Sequence, residues 1–242
     1  MIEVRLSKGH FMQLRPAALV LLLSGVATAS TAFALDLSDL TNKEVVSGLK
    51  EALIRGSQKA VDELGKPDGF LGNVKVKIPL PESLHRVEGV MRTVGLGDQA
   101  DELIATMNHA AEAAVPEAKT LLVNAVKQMS VQDAKGILSG GDTAATEYFR
   151  KTTSAPLTAR FLPIVKRATA KVKLADVYNN FAGKAAGFGL IGEKDANLNN
   201  YVTQKALDGL FTMMADEEKA IRQNPAAATK DIIKKVFGAI GQ

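Results

Sequence analysis

The chain has 242 residues, with 30 Lys and Arg against 26 Asp and Glu, a formal charge of +4 and no cysteine. Arg5, Lys8, Arg15 and Glu3 account for half of that charge, so the remainder is close to neutral, without the clustered basic face of a nucleic-acid binder. The absence of cysteine excludes a disulfide framework, a thiolate metal site and a lipid-acceptor thiol.

The predicted elements begin with a leader. Its three cations precede an apolar run from Pro16 to Leu23, and small residues then lead to Ala32-Phe33-Ala34. This is the cation, apolar and small-x-small order of a secretory signal peptide. Cleavage after Ala34 is expected, leaving Leu35 as the first residue of a periplasmic or secreted protein. The apolar run falls far short of the ~20 residues that cross a bilayer as a helix, so no transmembrane segment is expected in the mature chain. Met12 offers a second start, because Met12-Gln13-Leu14-Arg15 already supplies a short basic leader. Residues 35–242 suffice for one domain with a sizeable core.

Helical periodicity dominates the chain beyond the leader. Thr41-Asn42-Lys43-Glu44 is a capping-box pattern that opens a helix to Leu64, stopped by Gly65 and Pro67. Val74-Lys75-Val76-Lys77-Ile78 alternates with period two and predicts one short strand or extended arm, ended by Pro79 and Pro81. Glu82 to Val94 reads as a second helix closed by Gly95. From Asp98 to Met129 the pattern is helical, with a kink or restart at Pro116. Ser130-Val131-Gln132-Asp133 starts a short helix ending at Gly140-Gly141, and Asp142 then caps a helix to about Ala155. Leu157 to Val172, interrupted by Pro163, and Leu174 to Ala186 are helical in pattern. Asn197 opens a long amphipathic helix to about Gln223, and Asn224-Pro225 restarts a final one. The expected fold is all-α: a single compact multi-helix domain with one short extended or β segment near residues 74–78.

Chemistry is sparser. Gly187-Phe188-Gly189-Leu190-Ile191-Gly192 spells G-x-G-x-x-G, but a helical pattern leads in and Glu193-Lys194-Asp195 leads out. A dinucleotide site needs a strand before the glycines and a helix after them, so a glycine loop is expected. After the leader the imidazoles are His85 and His109. His109 and Glu112 lie one helical turn apart, yet no second pair accompanies them, so no metal and no cofactor is expected. A G-x-S-x-G nucleophile elbow is absent.

Two places stand out. Gly140-Gly141-Asp142-Thr143 places glycines at a helix start, where free backbone amides hold anions; capping by Asp142 is the plainer alternative. Asp101, Asn108, Glu112 and Lys119 fall within about 40° of one line on a continuous helix, either as a ligand or partner site or as an ordinary seam between helices. A carboxylate at that edge needs a donor, and Arg150 is the expected partner of Glu112.

Several separated blocks carry a resemblance: Gly48-Leu49-Lys50-Glu51-Ala52-Leu53, Lys77-Ile78-Pro79-Leu80-Pro81, Ala110-Ala111-Glu112-Ala113-Ala114, Ala144-Ala145-Thr146-Glu147-Tyr148-Phe149-Arg150 and Leu207-Asp208-Gly209-Leu210-Phe211. In this order they resemble the uncharacterised bacterial family designated domain of unknown function 4197. The resemblance implies an exported helical protein of bacteria with an outer membrane, and it brings no catalytic residue. The leading functional expectation is non-enzymatic binding of an unknown protein partner or small ligand. A carrier of an acyl or lipid ligand is the alternative, and a hydrolase using Asp101 and Glu112 as paired carboxylates is the third reading.

Overall fold

Helix boundaries fall where capping and stop residues put them. The structure is a computed structural model that describes residues 42–95, 97–179 and 197–224. Helix α1 spans Asn42–Leu64 and closes at Gly65, whose N–H donates to the Val61 carbonyl at 2.8 Å. Helix α2, Glu82–Thr93, ends just before Gly95, whose φ of +80° is the left-handed conformation that terminates helices and suits glycine. Helix α3, Gly97–Ala114, gives way to a 3-10 turn over Val115–Glu117, because Pro116 has no N–H to continue the ladder. Helix α4 then runs over Ala118–Gln128.

Helix α5, Val131–Ser139, opens with a complete capping box. The Asp133 N–H donates to Ser130 Oγ at 3.1 Å, and the Ser130 N–H donates to Asp133 Oδ2 at 3.0 Å. Helix α6 spans Ala144–Thr169 and α7 spans Leu198–Gln223; residues 173–179 are also helical. The Asn197 side chain caps α7 by accepting the N–H groups of Asn199 and Asn200. The leader, the Thr41 cap, the 187–192 glycine loop and the helix expected beyond Pro225 lie outside the described residues.

Two expectations change. Pro156 and Pro163 do not divide α6, which passes through both. Each proline is exposed, as are Thr152 and Ala159, whose carbonyls lose their helical donors to the two prolines and can turn to water instead. Prolines on the solvent side also bend a helix around its core. The alternating segment, in turn, forms no strand. The N–H groups of Val76 and Lys77 both donate to the Asn73 carbonyl, and the chain then runs without helix or strand to Pro81. Its alternation holds only from Lys75 on: Val76, Ile78 and Leu80 are buried while Lys75, Lys77 and Pro79 are exposed, and Val74, the first residue of the pattern, is 95% exposed.

The core forms around α6, which packs on α7, α3 and α4, while α1 packs on α7 and α4. Phe149 and Phe161 of α6 belong to one core with Met107, Leu122 and Phe211, all essentially inaccessible to solvent. The stretch 65–81 acts as a strap across α3 and α7. Its Phe70 ring lies so close to α7 that a Cβ on Gly209 would come within 2.5 Å of it, which is why a glycine stands there. The Tyr201 hydroxyl of α7 donates to the Pro79 carbonyl at 3.1 Å. The fold is all-α, a single domain, and among the described residues it contains no strand.

Candidate functional site

The polar stripe of α3 does not converge on one site. Asp101 pairs with Arg92 of α2, at 2.6 Å, and this guanidinium holds its carboxyl below the usual range. Asn108 is fully buried. Its Oδ1 accepts the Ile78 N–H at 2.8 Å, while its Nδ2 donates to the carbonyls of Ile78 and Ile104. The amide side chain thus plays the part of a neighbouring strand for the strap. Lys119, beyond the 3-10 break, reaches Asp62 of α1 at 3.3 Å. The helical spacing that aligned Lys119 with the others ends at Pro116.

Glu112 is 6% exposed and is partnered, although not by Arg150. Its Oε1 accepts the N–H groups of Phe70 and Leu71 at 3.0 and 3.1 Å, and its Oε2 lies 2.8 Å from Nδ1 of His109. Burial opposes the charge most strongly, but His109 and the two amides together outweigh it and leave the carboxyl below its ordinary value. Arg150 instead stacks on the Phe211 ring, 4.7 Å from its centroid, beside Asp208 and Glu147. The expected Glu112–Arg150 pair is therefore replaced by backbone donors. A strap that must bury its own amides supplies them closer at hand than a guanidinium on α6 does.

The helix start at Gly140-Gly141-Asp142-Thr143 has an anion, and it comes from the protein. Thr143 is the N-cap of α6 and makes no side-chain cap bond; neither does Asp142 occupy the amides. Glu218 of α7 does so, its two carboxylate oxygens accepting the N–H groups of Ala145 and Thr146, each at 2.9 Å, and the Thr146 hydroxyl at 3.0 Å. Arg222, one turn on, donates to Glu218 at 2.9 Å and to the Ile137 carbonyl at 2.8 Å. A buried carboxylate on helix N-terminal amides is favoured by both the hydrogen bonds and the helix dipole. Sequence spacing had no means of linking positions 145 and 218.

Two features offer chemistry that these ties do not consume. A groove of about 650 Å3 opens between α6 and the turn leading into α4. Leu121, Pro156, Pro163 and Ile164 form its apolar walls, with Arg160 and Arg167 along α6 and Glu117 on the other side. The two arginines stand seven residues apart, hence on one helical face, and neither has an ion-pair partner among the described residues. By contrast, the cavity among Ala52, Phe149, Met214 and Ile221 holds only about 20 Å3, room for about one water. The second feature is exposed Asp68, whose φ is +59°; one ligand atom each from Asp68, His109 and Glu112 lie within 4.8 Å of one another.

Among the described residues, then, the buried acids Glu112 and Glu218 hold segments of an all-α domain together, and a groove lies open beside α6. The chain belongs to the family described as "Protein of unknown function (DUF4197)", whose family model spans residues 39–238. No curated protein and no solved structure matches the chain.

Proposed function

We propose that this is an exported, non-enzymatic binding protein of the bacterial periplasm, and that the groove between α4 and α6 is its binding surface. Export is supported by the cation, apolar and Ala-x-Ala order of residues 5–34, and no described helix is long and apolar enough to cross a membrane. The observation that carries the binding reading is the pairing of Arg160 and Arg167 with apolar walls in one groove. Such a surface takes a ligand or partner segment with a carboxylate or phosphate beside an apolar part. An acyl carrier with an enclosed tunnel gains no support from a cavity of water size. The hydrolase reading is weaker still. Asp101 and Glu112 are both shifted down, whereas division of acid and base roles needs environments that push the two values apart.

Native mass spectrometry of the protein purified from its own periplasm tests the reading. The expected species starts at Leu35 and carries additional mass, which Arg160→Gln combined with Arg167→Gln removes while the helical circular dichroism spectrum is unchanged. Retention of the same mass by the double variant would overturn the groove as the binding surface, and an N-terminus retaining Leu19 to Leu23 would overturn export.

A further inference from the structure

Asp68, His109 and Glu112 come from two separate stretches of chain, and their meeting is enforced by the strap. Glu112 Oε1 is committed to the Phe70 and Leu71 amides, which fixes the carboxylate and directs Oε2 toward His109. The same two bonds fix the turn that presents Asp68. That residue sits at φ +59°, where aspartate and asparagine are tolerated far better than most side chains. Glu112 is buried, whereas Asp68 and His109 are exposed, so the cluster lies at the surface and is accessible from solvent.

We propose that Asp68, His109 and Glu112 form a binding site for a divalent transition-metal ion, with solvent completing the coordination. One imidazole and two carboxylates are a borderline-to-hard donor set, suited to Zn2+, Mn2+ or Fe2+. The 2.8 Å between His109 Nδ1 and Glu112 Oε2 is a hydrogen bond while a proton sits between them. It is also close to the ~3 Å edge of a six-coordinate site with metal–ligand bonds of ~2.1 Å. A cation takes the place of that proton once the imidazole turns its Nδ1 lone pair off the line to Oε2 and toward the ion; the displaced proton passes to Nε2 of a neutral ring, or to solvent from an imidazolium. The side chain of Asp68, with no partner among the described residues, closes the third side by rotation about its χ angles. The two backbone bonds to Oε1 serve as outer-shell support for the buried ligand. His109 and Glu112 alone are one turn of helix; the third donor arrives only through the strap.

The test is calorimetric titration of Zn2+ into the purified, EDTA-stripped protein, with Co2+ absorption as a second readout. One equivalent is expected to bind. Asp68→Asn, which keeps a residue suited to positive φ, and His109→Gln should each weaken binding by about tenfold or more, with unchanged circular dichroism. The visible Co2+ spectrum should be lost in His109→Gln. Absence of binding at millimolar Zn2+, or affinity unaltered by either substitution, overturns the site. Neither variant touches Arg160 or Arg167, so failure here leaves the groove reading to its own test.

Discussion

At the scale of single residues, the acids that matter are those whose partners are backbone amides. Glu112 has a carboxyl held below its ordinary value. The stabilisation it gives is therefore complete above the unfolded value near 4.3 and is lost as pH falls through the lower folded value. Glu112→Gln is expected to cost about 1.5–3 kcal/mol at pH 7 and to flatten the acid limb of the stability curve. Urea melts at pH 7 and in steps from about pH 5 down to about pH 2 read both effects; an acid limb as steep as that of the parent protein would refute this role. Glu218 stands nearly as deep, 7% exposed, and serves two amides, one hydroxyl and Arg222. Glu218→Ala should cost about 3–5 kcal/mol, because the amides of Ala145 and Thr146 lose their acceptor and Arg222 loses its ion pair with Glu218. The double variant with Arg222→Met should cost less than the sum of the singles. Strict additivity in denaturant melts would show the two to be uncoupled.

At the scale of elements, the strap over 65–81 links α3 to α7, and Gly209 sets how closely it can lie. An alanine in a helix gains about 1 kcal/mol of propensity over glycine, but its Cβ would sit 2.5 Å from a fully buried Phe70 ring. Overpacking of that kind costs about 1–3 kcal/mol, and a ring enclosed on all sides has little room to retreat, so the clash outweighs the propensity. Gly209→Ala should therefore destabilise the protein. Phe70→Leu should cost less in the Gly209→Ala background than alone, because the smaller side chain gives back the lost space. A Gly209→Ala protein that melts higher than the parent would show that the ring can move.

At the scale of the whole molecule, the hydrogen bonds that hold the strap and the start of α6 are complete without an ion, since Glu112 Oε1 and both oxygens of Glu218 already have donors. The EDTA-stripped protein is expected to keep a helix-dominated far-UV spectrum and a single cooperative melt. Added Zn2+ should raise the midpoint through mass action, by about 2.7 kcal/mol of stabilisation at a hundred times the dissociation constant. Collapse of the helical signal on chelation would mean that the metal is structural and that the bonds to Oε1 do not suffice.

Much of the architecture was legible in the sequence, and the reason is locality. The Ser130–Asp133 box, the Asn197 cap, the stop at Gly95 and the restart at Pro116 depend on residues within a turn of one another, so their chemistry can be read along the chain. The all-α class followed from periodicity in the same way. Proline misled at positions 156 and 163 because its cost depends on whether the freed carbonyls reach water, which is a matter of packing. The alternation at 74–78 reported burial at Val76 and Ile78 but not at Val74, which is exposed, and it could not report its partner, a side-chain amide rather than a strand. Helical spacing orients a residue only relative to its own helix. Which donor meets Glu112, which anion occupies the start of α6, and which third ligand joins His109 were decided by tertiary structure alone, since only folding brings positions 68 and 112, or 145 and 218, into contact.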